Sequence, residues 1–403
     1  MTLAAKEELR VEYKKPRPLS TNSAVAHAVK DLDVDVVAAY PITPQTTVVE
    51  KISEFIANGE LEAEMIHVES EHSALSATIA ASLTGARAFT ATASQGLELM
   101  HEILHIASGL RAPIVMSVAM RALSAPISIW NDHSDVMNAR DTGWVIMFVS
   151  SAQEAYDTVI QAYRIAEDRD VLLPVMVAYD GYVMSHTMEP VVTEDRDSVL
   201  AYAPKRPFPY KLDPDKPVTI GVIADPDWYY EIKYQIVDAM RRVPQKLEEA
   251  DREFGKRFGR SYGVVECYLC EDAKSLIVAA SSYAATLKAV LPRAWERGLK
   301  VGLLRLRLYR PFPEEYILRH IEDKDSILVI DRAISYGAPY QGPLANEFAG
   351  LLLKHDIKAN LVSVVAGIGQ RRMVDEDFMK LAEIAWEARI SKKPETIFYG
   401  VRA

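Results

Sequence analysis

The chain has 403 residues, of which 46 are Lys or Arg and 56 are Asp or Glu, giving a formal net charge of −10. That balance argues against a general nucleic-acid or anionic-membrane binder, and 49% hydrophobic with 25% charged residues excludes a disordered chain. Two cysteines, Cys267 and Cys270, exclude a disulfide-built scaffold and a cluster held by four thiolates of this chain alone.

Residues 1–20 carry Pro16 and Pro18 among charges and read as an arm laid on the surface or on a partner. Organised pattern starts at Thr21. Val34–Tyr40 is a short apolar run ending at the Pro41–Pro44 turn, and a helix is expected from Thr46 to Ala57. A strand at Met65–Val68 leads to a small-residue helix, Ser73–Leu83. Strand Ala88–Ala93 leads to a helix over Leu97–Ser108. Further strands are expected at Pro113–Met120, Val145–Val149 and Val171–Tyr179. Ser151 with Glu154 marks a capping-box start for a helix reaching Glu167. Strands alternating with helices of this length require crossover connections, hence a mostly parallel sheet covered on both faces.

Between Pro204 and Pro217 five of fourteen residues are proline, which marks a linker. A charged helical stretch, Tyr229 to Arg257, follows and reads as an arm more than a core helix. Alternation resumes with strand Ser275–Ala280, helix Tyr283–Arg297, strand Lys300–Leu308, helix Pro313–Ile321 and strand Ser326–Asp331. Helix Gly342–His355, strand Ile357–Ala366 and a helix from Asp375 to Arg389 complete the pattern. The expected organisation is an arm over 1–20, an α/β domain over 21–200, a linker with helical arm over 201–271, and a second α/β domain over 272–403. No uncharged apolar run reaches the roughly 20 residues of a membrane span, so a cytoplasmic protein is expected.

His101-Glu102-Ile103-Leu104-His105 matches H-E-x-x-H, the spacing of a zinc hydrolase site. Its helix joins two expected parallel strands and no third ligand follows closely, so paired surface histidines are preferred and no metal is expected. Cys267 and Cys270 are a C-x-x-C pair without a second pair or a helix start; a labile disulfide or chance spacing is the preferred reading. Neither G-x-G-x-x-G nor G-x-x-x-x-G-K-[ST] occurs, so the chain has no phosphate cradle of its own and is expected to complete its site with another chain. What remains is a set of polar clusters at strand ends: Tyr40–Thr46, Glu69–His72, Ser94–Gly96, Arg121 and Asn131–Asp135. Each alone reads as helix capping; five converging on one sheet edge read as a site.

These runs, Y-P-I-T-P-Q-T at 40–46, V-E-S-E-H-S-A at 68–74, T-A-S-Q-G at 92–96, N-D-H-S-D at 131–135 and R-D-T-G-W at 140–144, resemble the α subunit of 2-oxoacid:ferredoxin oxidoreductases, most closely those acting on pyruvate. L-R-L-Y-R-P-F-P at 306–313 and V-I-D-R at 329–332 extend the resemblance into the second domain. It implies two doubly wound domains, the first like the pyrimidine-binding domain of thiamine diphosphate enzymes and the second like the transketolase C-terminal domain. It implies oxidative decarboxylation of pyruvate to acetyl-CoA, and the reverse synthase reaction, with branched-chain, aryl, 2-oxoglutarate or oxalate substrates as alternatives. Thiamine diphosphate is then shared with a β subunit that holds the diphosphate and Mg2+. The [4Fe–4S] clusters lie in partner subunits, coenzyme A is co-substrate, and γ and δ subunits and ferredoxin are further partners. By the same resemblance Glu71 faces N1′ of the aminopyrimidine, a contact that favours the imino tautomer, and Glu69 is its competitor. Arg121 binds the substrate carboxylate with its planar fork, Thr43 contacts the substrate, and Ile42 and Gln95 contact the cofactor. Asp132 and His133 lie near the site.

Overall fold

A computed structural model describes residues 15–391 and 396–402; residues 1–14 of the expected arm lie outside them. The first described strand, β1 (Arg17–Leu19), leads into helix Thr21–Asp31, capped by the Ser20 hydroxyl accepting from the Ser23 amide at 3.2 Å. Strands β2 (Val36–Ala38), β3 (Glu64–Ile66), β4 (Ala88–Thr92), β5 (Val115–Met120), β6 (Val145–Phe148) and β7 (Val175–Asp180) follow, alternating with helices. They pair in the order β6-β7-β5-β4-β2-β3, all parallel. Every residue of β4 to β7 is buried, because helices cover both faces. Val115 and Ala119 pack into the core under helices Thr21–Asp31 and Ala152–Ala166, while Met116 and Val118 pack under Glu71–Leu83 and His101–Gly109. β8 (Glu189–Val191) pairs antiparallel with β1, so the described end of the arm is a strand held on this first unit.

No helix or strand forms between Tyr202 and Pro226, where the prolines cluster. The helix after them runs from Pro226 to Phe258, capped at its start by the Asp225 side chain and stopped by Gly259 at φ +74°. The reading of this helix as an arm requires correction. Ile236, Ala239, Val243, Leu247, Ala250 and Phe254 are buried at spacings of three or four, a stripe that packs it on Ala152–Ala166. Abundant charge on the other faces hides that stripe in the sequence. Only its first turns stand clear, with Trp228, Tyr229, Tyr230 and Tyr234 exposed.

The second sheet is built from β9 (Val265–Tyr268), β10 (Ser275–Ala280) and β11 (Val301–Leu306), and the chain then forms β12 (Leu308–Arg310), β13 (Ser326–Asp331), β14 (Asn360–Ala366) and β15 (Thr396–Tyr399). Its order is β15-β14-β13-β10-β11-β9, with only β9 antiparallel. β9 falls inside 201–271, a segment expected to hold only linker and arm. β12 begins at the last residue of the expected strand Lys300–Leu308 but leaves the second sheet: it crosses over and pairs antiparallel with β6, as the seventh strand of the first sheet.

Arg307 sits at that crossing with no exposed side chain. Its guanidinium donates to Gln161 Oε1 at 2.8 Å and the Gly263 carbonyl at 2.8 Å. Beside it Arg305 donates to Glu154 at 2.8 Å and to Glu266 at 2.7 Å. Burial alone would raise the Glu154 carboxyl, but Arg305 and Arg307 together hold it below the usual range. The expected capping-box partner is therefore turned away from Ser151: Glu154 accepts from the Ser150 amide at 2.9 Å and serves the joint between the sheets.

Candidate functional site

In the first sheet β2 lies between β3 and β4, so the crossovers diverge there and leave a crevice beyond the carboxyl ends of β2 and β4. The segments entering it are the Pro41–Pro44 turn after β2, Glu71 after β3, Ser94–Gly96 after β4 and Arg121 after β5. Ser70 caps the helix Glu71–Leu83 by accepting from the Ser73 amide, which leaves Glu71 as its first residue. The Glu71 side chain is buried yet has no hydrogen-bond or ion-pair partner among the described residues. Glu69 is exposed and takes the Ser73 hydroxyl, so the inward carboxylate of the two is Glu71. Room for it exists because residue 96 is glycine: a Cβ there would lie 2.6 Å from Glu71 Oε1 and 2.4 Å from Thr92 Oγ1.

Several polar atoms in these segments are buried without a partner: Gln45 Nε2, Thr92 Oγ1, Gln95 Nε2, and both amide atoms of Asn131. Buried polar groups are normally satisfied, so their clustering at strand ends points to a ligand. Gln95 Oε1 accepts from the Ser94 hydroxyl at 2.7 Å, and Gln45 Oε1 from the Ile42 amide at 3.4 Å, so each amide is fixed at one end and free at the other. Ser94 itself is held at φ +49°, a conformation L residues rarely adopt.

Asp135 holds that conformation in place. Its Oδ2 accepts from the Ser94 amide at 2.8 Å and from the Arg121 amide at 3.0 Å, which joins the ends of β4 and β5. Burial pushes the Asp135 carboxyl up to about 7, against these amide bonds, and the neighbouring charge of Asp132 adds to the rise. Arg121 donates from Nε to the Ser128 carbonyl at 2.8 Å and from Nη1 to the Thr43 carbonyl at 3.0 Å. Its Nη2 has no partner among the described residues, and Thr43 beside it is exposed.

Thr43 and Arg121 are thus brought together, and Glu71 packs against Gly96, the residue after Gln95. Asp132 turns toward the second unit, and His133 turns to Asp180 at the end of β7, which itself binds the second unit. Asp132 Oδ2 accepts from the Gly369 amide at 3.3 Å. His133 Nε2 lies 2.9 Å from Asp180 Oδ1, and Asp180 also takes Arg332 Nη1 at 2.5 Å, the Ser282 amide at 3.1 Å and the Ser282 hydroxyl. Burial alone would raise the Asp180 carboxyl, but Arg332, His133 and Ser282 hold it far below the usual range. Gln45, Asn131 and Asp135 were within the quoted motifs but were not singled out; only their burial distinguishes them.

The H-E-x-x-H run opens helix His101–Gly109, with the two imidazole rings 5.4 Å apart and edge-on, and with Glu102 side chain 80% exposed. Among the described residues no group of three His, Cys, Asp or Glu could hold a metal ion. Cys267 and Cys270 form a disulfide. No described helix is long and apolar enough to cross a membrane.

Residues 27–252 match the family described as pyruvate flavodoxin/ferredoxin oxidoreductase, thiamine diphosphate-binding, and residues 273–378 match pyruvate:ferredoxin oxidoreductase core domain II. The chain is 49% identical over 365 residues to the pyruvate synthase subunit PorA of Methanocaldococcus jannaschii, covering 89% of this chain and 92% of that one. It is 42% identical over 376 residues to the ketoisovalerate oxidoreductase subunit VorA of Pyrococcus abyssi, covering 93% and 94%. Its fold is similar to that of the 2-oxoglutarate:ferredoxin oxidoreductase of Magnetococcus marinus, with a TM-score of 0.72 at 15% identity over 93% of this chain and 66% of that one.

Proposed function

The chain belongs to the pyruvate flavodoxin/ferredoxin oxidoreductase family, and from that premise we propose that it is the subunit of a pyruvate:ferredoxin oxidoreductase that presents the aminopyrimidine side of thiamine diphosphate. The observation that carries this reading is Glu71, a buried carboxylate with no partner among the described residues, set against a glycine that leaves no room for a side chain. Its neighbours fit the same ring. Free donors on Gln45 and Gln95, and the Thr92 hydroxyl, supply what an aminopyrimidine needs besides one carboxylate. When bound, the cofactor supplies the electron sink that decarboxylation of a 2-oxoacid requires.

Glu71 holds and returns a proton at the ring nitrogen N1′, a task for which its position at a helix start and its seclusion from water are suited. Arg121 binds the oxoacid carboxylate with the nitrogen it keeps free, while its other two bonds fix the plane of the fork. Thr43, tied to Arg121 through its carbonyl, offers its hydroxyl to the same substrate. Ile42 lies within the same turn, and its amide donates to Gln45 Oε1 and so sets the orientation of Gln45.

The diphosphate and Mg2+ fall to a β subunit in this reading, since the chain carries no glycine cradle. The [4Fe–4S] clusters that pass electrons to ferredoxin fall to β and δ subunits, a γ subunit completes the assembly, and coenzyme A takes the acyl group in the cytoplasm. Pyruvate is favoured by the 49% identity to a pyruvate synthase subunit, and the 42% identity to a ketoisovalerate oxidoreductase subunit makes a branched-chain oxoacid the second reading. The test is coenzyme-A-dependent reduction of ferredoxin by the purified complex across a panel of 2-oxoacids. Pyruvate is expected to give the highest kcat/KM; a higher value for 2-ketoisovalerate overturns the assignment of substrate.

A further inference from the structure

Cys267 and Cys270 take no part in the site just described, yet they are joined and lie on a surface that a reagent can reach. Cys267 belongs to β9, the outermost strand of the second sheet, and is half-buried; Cys270 is 5% exposed. Both line an open cleft of about 660 Å3, together with Trp295, Arg319, His320 and Lys324. Leu269, between the cysteines, is held at φ +57°, where a bulky side chain is disfavoured. Cys270 Sγ lies 3.3 Å from the Leu303 carbonyl oxygen and 3.7 Å from that of Tyr268. A thiol at that position therefore has acceptors waiting, so the reduced form leaves no orphaned donor.

We propose that Cys267–Cys270 is a reversible dithiol–disulfide site that exchanges two electrons with an external dithiol through the cleft. One thiolate of the dithiol attacks the more accessible sulfur, Cys267 Sγ, and forms a mixed disulfide while the Cys267–Cys270 bond breaks and Cys270 leaves as thiolate. The second thiolate of the reductant closes on its own sulfur and releases Cys267. The pair gains two electrons and two protons, and the external dithiol becomes the disulfide.

The neighbour in sequence says what the exchange acts on. Glu266, on the same strand, takes Arg305 Nε at 2.7 Å and pairs with Lys288; Arg305 in turn bonds Glu154 of the first unit at 2.8 Å. β9 has a partner strand on one side only, β11, so the disulfide is a cross-link at its end. Reduction loosens β9 and, through Glu266, the ion pairs that join the two units.

The experiment equilibrates the purified complex anaerobically at a series of reduced-to-oxidised dithiothreitol ratios. Samples are acid-quenched, unfolded, labelled with a maleimide and weighed chain by chain. This chain is expected to pass from no labels to two in one reversible transition, and its amides at 265–268 to exchange about tenfold faster when reduced. No labels at any ratio means a disulfide sealed in the native protein, and two labels at every ratio means no disulfide; either overturns the proposal. Equal amide exchange in both forms overturns the link to β9. So does an unchanged exchange difference in a protein carrying both Cys267→Ser and Cys270→Ser.

Discussion

The two sheets offer the same kind of crevice, and the chain uses them in opposite ways. Beyond β2 and β4, polar groups are brought in and left without partners: Glu71, the free ends of Gln45 and Gln95, and Thr92. In the second sheet the crossovers diverge at β10, which lies between β11 and β13. There Ser282 and Arg332 converge as an anion site would, but the anion is Asp180 of the first unit. An α/β crevice is a place where backbone amides and strand-end side chains are concentrated. Whether it becomes a binding site or a joint depends on whether the protein supplies its own ligand. Here the first crevice leaves its polar groups unpaired among the described residues, and the second holds the two units together.

Substitution on each side should break that contrast in a different observable. Glu71→Gln is expected to lower oxoacid turnover by about 10²–10⁴-fold, the range for a lost acid–base group, with the thermal midpoint nearly unchanged. Steady-state rates of the assembled enzyme check it, and retention of full turnover would remove Glu71 from the chemistry. Asp180→Ala strands Arg332 and His133 in a buried pocket, and should cost about 3–5 kcal/mol of stability. A denaturation midpoint equal to the parent's would show that the second crevice is not a joint.

Gly96→Ala comes next. Its methyl meets Thr92 Oγ1 at 2.4 Å and Glu71 Oε1 at 2.6 Å, an overpacking worth about 1–3 kcal/mol. Activity should fall with it, because the carboxylate must move; an active, equally stable variant would mean the glycine is incidental. The smallest effect is one of pH. The folded protein holds the Asp135 carboxyl up to about 7 from 3.8, so it keeps a proton that the unfolded chain releases. Its contribution to stability is whole below pH 3.8 and declines as pH rises toward 7. Asp135→Asn should therefore gain on the parent in thermal midpoint between pH 5 and 7, and a constant gap across that range would contradict the assignment. Asp180 has the opposite sign: its depressed carboxyl is lost only as pH falls below the ordinary carboxylate range.

Much of the first crevice was legible. Runs free of charge marked β4, β5 and β7 to within a few residues, because strands covered on both faces carry mostly apolar or small uncharged side chains. The resemblance pointed to Glu71 with Glu69 as its competitor, and the choice between them came only with the helix start at Glu71, two residues before the expected Ser73. The second crevice was not legible. Asp180 and Arg332 are 152 residues apart, and in the first crevice too Asp135 lies 41 from Ser94; nothing local in the chain records such pairings. Arg305 and Arg307 read as polar interruptions near the end of a strand, and their full burial follows only from Glu154 arriving from the other unit. β9 and β15 are short, and their edge positions rest on neighbours already in place.

β12 carries a consequence for how the protein is made. Leu308–Arg310 covers the outer side of β6, so β6 is itself an open edge of the first sheet until residue 310 has left the ribosome. An open edge is a template for pairing with another chain, and nascent domains are exposed to such partners while synthesis continues. A truncation before Leu308 would leave that edge bare for good. The two units, distinct in their cores, are therefore one product to the cell: the first is not finished until the chain has doubled back from the second.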